Sequence, residues 1–168
     1  MPLVDGAVDG AAAAFVLNHL ADPVAALVEL RRVVRHGGFI VASVFSIADP
    51  PAAKAAIDEV LASAGWEPPE WYRFLKSVDG QLGSSTAMRV AAQAADLQDI
   101  DVVERPVRTG VTDPRDIVRY RLSQPQRAVF VAQLSEEARR RVVDGCVMTV
   151  TDLGEAFDPG VVLLAARA

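Results

Sequence analysis

Apolar and polar positions alternate in blocks along the chain, and the blocks predict an α/β order of elements. Residues 1–9 are turn-like, with Pro2, Asp5, Gly6 and Asp9. Gly10 to Leu17 is a continuous apolar run bounded by Gly. Its alanines suit a helix, but its length and boundary fit a strand buried on both faces. Asn18-His19-Leu20 ends it, and Asp22-Pro23 supplies an N-cap followed by Pro at the first helical position. Val24, Leu27, Val28, Leu30, Val33 and Val34 then recur at helical spacing, with Arg31, Arg32 and Arg35 toward the end. Gly37-Gly38 is expected to stop that helix, which puts His36 in a helix-capping role. Phe39 to Phe45 reads as a buried strand. Strand, helix and strand in this order predict a β-α-β unit with a parallel sheet and a right-handed crossover.

The rest of the chain follows the same grammar. A helix is expected after Asp49-Pro50-Pro51, running to about Ala64 and ending at Gly65. Residues 66–83 read as irregular, with both tryptophans, Pro68, Pro69, Gly80 and Gly83. Ser84 or Ser85 caps a helix to about Ala95, and Val102–Arg108 is the third strand candidate. Residues 109–160 form a long helical excursion, with helices opening at Asp113-Pro114, near Gln126 and at Ser135. Val161–Arg167 is a last strand.

Composition then narrows the class. The chain has 168 residues and a formal net charge of -5. That charge argues against a nucleic-acid binder, which presents a basic face. No apolar run reaches the roughly 18 residues that span a bilayer. Asp5 and Asp9 stand where a signal peptide would be basic, so a cytoplasmic protein is expected. One cysteine, Cys146, precludes an internal disulfide, and two histidines with it do not make a structural zinc site. Cys146 reads as core, and the Arg139-Arg140-Arg141 run as a solvated helix face.

Residues Met1 to Phe45 carry a more specific pattern. Met1-Pro2-Leu3-Val4-Asp5-Gly6-Ala7-Val8-Asp9 precedes the first strand, which leads into Val16-Leu17-Asn18-His19-Leu20-Ala21-Asp22-Pro23. Glu29-Leu30-Arg31-Arg32-Val33-Val34-Arg35-His36-Gly37-Gly38 closes the helix. In order and spacing this resembles the class I S-adenosylmethionine-dependent methyltransferases, in the small-molecule branch that includes quinone-biosynthesis enzymes. The resemblance implies a doubly wound, Rossmann-like sheet in which this chain supplies strands 4-5-7-6 of the family order 3-2-1-4-5-7-6. It implies S-adenosylmethionine as cofactor and a small molecule as methyl acceptor. It places Leu3, Ala14 and Phe15 against the cofactor, the last two through backbone groups. It makes Asn18 and His19 candidates for orienting the acceptor, with His19 as a candidate base, and Asp9 a structural hydrogen-bonding residue. Phe45, Trp71, Tyr72 and Phe74 become candidates for an acceptor pocket, with the excursion at 109–160 as a helical lid on one methyltransferase-like domain.

The same resemblance exposes a gap. The family's glycine-rich turn after a strand, where backbone approaches the cofactor, has no counterpart in this sequence. The chain is therefore expected to be the C-terminal portion of such an enzyme and to bind the cofactor weakly or not at all alone. The apolar edge at Gly10–Leu17 is then expected to pair with an N-terminal-half partner or a second copy. Three origins fit: a start set too late, a complement to a separately encoded half, or a non-catalytic remnant. The alternative to methyl transfer is accordingly a degenerate methyltransferase fold that acts as a binding or protein-interaction module.

Overall fold

A computed structural model describes residues 1–48, 50–78 and 80–168. The elements are β1 (Val8–Ala14), α1 (Pro23–Val33), β2 (Val34–Phe45), α2 (Ala52–Ser63), α3 (Glu70–Val78), α4 (Ser85–Ala94) and β3 (Gln98–Pro106). Then follow α5 (Pro114–Leu122), α6 (Pro125–Gln133), α7 (Glu136–Leu153) and β4 (Gly160–Arg167). The packing divides the chain into two units. A sheet unit comprises residues 1–49, 75–106 and 160–168, and a helical unit residues 50–74 and 107–159.

In the sheet unit the strand order is β1-β2-β4-β3. β1 runs parallel to β2, while β4 runs antiparallel to both β2 and β3. This order and these directions are the ones that the resemblance implies for strands 4-5-7-6. Local sequence explains the helices. The Asp22 carboxylate accepts from the Ala25 N–H at 2.9 Å and caps α1. The Ser84 hydroxyl accepts from the Ala87 N–H at 3.2 Å and caps α4. The two helices pack on one side of the sheet, where Ile40, Val44, Val162 and Leu164 are almost wholly buried with Leu27 and Met88.

The opposite side of the same strands is open. Side chains alternate across a strand, so Ala12, Ala14, Phe39, Val41, Leu163, Ala165 and Val103 share the second face. Phe39 is 59% exposed, Val41 44% and Val103 42%. A shallow groove of about 470 Å³ runs over this face.

Four sequence expectations need correction. The first strand stops at Ala14 rather than Leu17, because Phe15 turns left-handed with φ 53°. The first helix stops at Val33, and Val34 is already extended. Gly37-Gly38 therefore lies inside β2 and does not end the helix, and His36 is three residues beyond the helix that it was expected to cap. The glycine at position 38 answers a different need: a Cβ there would sit 2.5 Å from the Asp9 carbonyl oxygen, at the irregularity in the β1–β2 pairing between Val8 and Gly10. Residues 70–78 are helical rather than irregular, and Pro69 starts that helix by accepting from the Tyr72 N–H at 3.0 Å. The third strand begins at Gln98, four residues early. Asp99 bends it near its start with φ 48°, and Asp96 turns the chain just ahead of it with φ 58°, a conformation that aspartate tolerates. The helix expected after Asp49-Pro50-Pro51 begins at Ala52; Asp49 itself lies outside the described residues.

The helical unit has its own core of Ile57, Leu61, Trp66, Ile117, Val118, Cys146 and Val150. Cys146 is fully buried, as expected, and burial pushes its thiol up to about 11, with the Asp58 carboxylate adding to the rise. The arginine run is only partly a solvated face. Arg140 and Arg141 pair with Glu136 and Glu137 one turn back. Arg139 instead donates to the Val131, Ala132 and Leu134 carbonyls and caps the end of α6.

Candidate active site

In a doubly wound sheet, ligands gather beyond the carboxyl ends of the parallel strands. In this chain that place is the end of β1 and β2. Ala14 is in register with Ser43, and the Phe15 N–H donates to the Ser43 carbonyl at 2.8 Å. That bond extends the ladder one residue past the strand. The Phe15 backbone then turns left-handed, a conformation that costs a bulky residue roughly 1–2 kcal/mol. Strain of this kind concentrates at functional sites. Here the turn lays the Phe15 ring on Phe45, with ring centroids 4.6 Å apart and planes tilted by 32°. The pair closes the carboxyl end of two adjacent strands with an aromatic floor.

A short 3₁₀ turn follows at Leu17–His19, closed by the His19 N–H donating to the Val16 carbonyl at 3.0 Å. It splits the two polar candidates. Leu17 and Asn18 turn inward, with Asn18 only 4% exposed, whereas the His19 imidazole faces solvent. The Asn18 amide nitrogen lies 3.5 Å from His19 Nδ1. The two side chains therefore meet, Asn18 from the buried side and His19 from the exposed one.

The other sequence candidates are distributed as follows. Ala14 sits at the last position of β1, and by strand alternation Ala12 and Ala14 direct their N–H and C=O groups to the free edge of the sheet. The Phe15 N–H is already committed to Ser43, so what Phe15 adds at this end is its ring. Leu3 stands five residues ahead of β1, at the opposite end of the strand. The segment around it is tied to α1 by ion pairs from Met1 to Glu29 and from Asp5 to Arg32 (2.6 Å), with Arg35 on Asp9 (2.6 Å). The last pair gives Asp9 its structural role. Bonds from Arg32 first, and then from the Met1 ammonium, hold the Glu29 carboxyl down at about 2.

Trp71, Tyr72 and Phe74 lie on α3 within the helical unit. Trp71 is 47% and Phe74 57% exposed, while Tyr72 packs against that unit's core, 5.8 Å from Trp71 ring to ring.

Sequence reasoning missed one charged cluster. Arg127 is fully buried and grips Asp58 with two bonds of 2.7 Å, from Nε to Oδ1 and from Nη2 to Oδ2. Arg121, also buried, reaches the same carboxylate at 3.4 Å. Gln124 Oε1 accepts from both arginines at 2.9 Å. The Arg127 guanidinium lies 5.2 Å from the Trp66 ring and 5.8 Å from Tyr72. Burial, then the charge of Arg127, pulls the Arg121 guanidinium below its ordinary range. A signal was present: Arg121 occupies the apolar stripe of α5 beside Ile117, Val118 and Leu122.

Comparison with known proteins agrees with this architecture. The family model described as a methyltransferase domain matches residues 1–42, which span β1, the 3₁₀ turn, α1 and most of β2. No curated protein matches in sequence. Among solved structures, the chain is similar to phosphoethanolamine N-methyltransferase 2 of Haemonchus contortus, determined with phosphomonomethylethanolamine and S-adenosylhomocysteine. The TM-score is 0.50 at 14% identity, over 98% of this chain and 34% of that one. It is similar to the YcgJ protein of Bacillus subtilis with a TM-score of 0.50 at 16% identity, over 99% of this chain and 66% of that one. The chain thus has the class I methyltransferase fold and spans about a third to two-thirds of the length of these structures.

Proposed function

We propose that the chain carries the acceptor side of an S-adenosylmethionine-dependent methyltransferase acting on a small molecule. The observation that carries this reading is the strained turn at Phe15. It closes the carboxyl end of β1 and β2, within the segment that matches the methyltransferase domain.

The residues at this end fit one flank of the cofactor. S-adenosylmethionine, when bound, supplies an electrophilic methyl group on a sulfonium cation. The Phe15–Phe45 pair offers an aromatic surface beside which a cation is favoured. The outward polar groups of Ala14 offer hydrogen bonds at the sheet edge. The chain's own work is to position: methyl transfer needs an attacking atom held in line and close, which a rigid floor between two strand ends provides. His19 is exposed at the rim and can take a proton from an acceptor that must lose one, with Asn18 holding the ring's orientation. A glycine-rich turn for the other flank of the cofactor has no counterpart in the sequence, so tight binding requires further structure beside β1. The proposal is therefore methyl transfer by the completed fold, not by this sheet segment alone.

Titration with S-adenosylmethionine, followed by calorimetry and by amide resonances, tests the reading. The expected result is binding weaker than micromolar, with shifts confined to Ala14–His19 and Phe45. Micromolar affinity would refute the need for further structure. Millimolar cofactor with no shift at those residues would favour the non-catalytic binding module instead.

A further inference from the structure

Two guanidinium groups share one carboxylate inside the helical unit. Arg121 of α5 and Arg127 of α6 are both buried, and Asp58 of α2 is the acidic side chain that both of them contact among the described residues. Arg127 takes the better share. Its Nε and Nη2 make the two parallel 2.7 Å bonds of a fork closed on a carboxylate. Arg121 receives the remainder. Its Nη2 stands 3.4 Å from both Asp58 oxygens, beyond the length of about 2.7–2.9 Å of a charge-assisted bond. Its Nη1 donates to the Gln124 amide oxygen, which is neutral. Its Nε is buried and donates to no group among the described residues. We infer that the Nε–Nη2 edge of Arg121 is a binding site for the carboxylate of a small organic acid, held in the way that Arg127 holds Asp58.

Charge is the first reason. Arginine does not give up its proton inside a protein, so one carboxylate between two buried guanidinium groups leaves a surplus of one positive charge. Burial, then the charge of Arg127, pulls the Arg121 guanidinium below its ordinary range, with Asp58 and the Tyr72 and Tyr120 phenols acting the other way. None of the groups that act on Arg121 is a second carboxylate. A buried water satisfies an N–H but carries no charge. A bound anion supplies the hydrogen-bond acceptor and the charge together, and a buried cation without its counter-ion is the costly case.

Geometry selects a carboxylate among anions. Nε and Nη2 lie in one plane and point the same way, spaced for two carboxylate oxygens. A carboxylate brings the single negative charge that the surplus requires, whereas a phosphate monoester brings about −1.5 to −2. The walls beside the pair are aromatic: Arg127 lies 5.2 Å from the Trp66 ring and 5.8 Å from Tyr72. They suit an acid with a flat apolar body. The cluster reaches the surface at Asp58, whose side chain is 34% exposed, and at the half-buried Gln124 and Tyr72. Tyr72 belongs to α3, none of whose described residues is buried, so its ring is the wall that yields at least cost. The site lies within the helical unit and is independent of the methyl-transfer reading.

Benzoate is the probe, with benzamide as its neutral isostere and inorganic phosphate as a compact anion. Each is titrated into the full chain, and the Arg121 Nε–H resonance and the melting temperature are followed. Millimolar benzoate is expected to shift that resonance saturably and to raise the melting temperature, while benzamide does neither. Arg121→Met removes the surplus charge and keeps an apolar stem in its place. It is expected to fold and to bind benzoate at least about tenfold more weakly. Arg121→Lys keeps the charge and loses the fork, so the same loss is expected of it, and it carries the comparison if the methionine variant does not fold. No saturable shift of the Arg121 resonance, an equal response to benzamide, or undiminished benzoate binding by the folded variants would overturn the site. Tighter binding of phosphate than of benzoate would overturn the choice of a carboxylate.

Discussion

The helical unit and the sheet unit bury their side chains by opposite rules. The helical unit takes two arginines out of water, although removing a guanidinium from solvent is costly unless it is paired. It meets that cost with Asp58, Gln124 and the ring of Trp66. The sheet unit leaves Phe39, Val41 and Val103 in solvent, on strands whose other side is packed to near-zero exposure. The same chain therefore can close a core around charged groups, and the open apolar face is no shortage of packing ability.

The largest way to break this contrast is in the helical unit. Asp58→Ala leaves two buried guanidinium groups facing one another without their carboxylate. It is expected to cost about 3–5 kcal/mol in urea unfolding. A cost near zero would mean that water reaches the arginines freely.

The next effect compares the two faces of one strand. Ile40→Ala, on the covered side of β2, is expected to cost about 2–5 kcal/mol. Val41→Ala, one residue on and on the open side, is expected to cost about 1 kcal/mol or less. Equal losses measured by denaturation would show that the second face is packed too.

A smaller effect sits at the start of α4. Glu104 accepts from the Ser46 hydroxyl at 2.5 Å and from the Ser85 N–H at 3.0 Å, and these bonds, the Ser46 one first, lower its carboxyl below the usual 4.5. A lowered folded-state value means stability that is present above about pH 4.5 and is lost as pH falls through the folded value. Glu104→Gln is therefore expected to be less stable than the parent at neutral pH. The gap should narrow in thermal melts below about pH 4.5; a gap that widens in acid would reverse the sign.

The smallest effect is none at all. Cys146 is buried with its thiol raised to about 11, so the folded chain is expected not to react with a thiol reagent at pH 8, and to react fully in denaturant. Rapid labelling of the folded chain would mean that the helical core opens.

Much of the fold is legible in the residues because the governing signals are local. Asp22-Pro23, Ser84, Asp113-Pro114 and Ser135 each start a helix where an N-cap can satisfy a free N–H. The strand order followed from the family pattern in residues 1–45. What was not legible depends on partners distant in sequence. Gly37-Gly38 looks like a helix stop until β1 is seen to pass within contact of Gly38. The apolar run from Gly10 to Leu17 cannot show that Phe15 leaves the strand, since that turn is fixed by Ser43 and Phe45. Of the site candidates, Phe15 with Phe45 and Asn18 with His19 are brought together, with Asn18 buried and His19 exposed. Asp58, Arg121 and Arg127 escaped notice because single charges in amphipathic helices normally face solvent.

The contrast between the two faces is tested most directly by methyl resonances in the presence of a soluble nitroxide. In the isolated chain, the methyl groups of Val41 and Val103 are expected to broaden strongly, while those of Ile40, Val44 and Leu164 stay sharp. Equal protection of both sets would contradict an open sheet face.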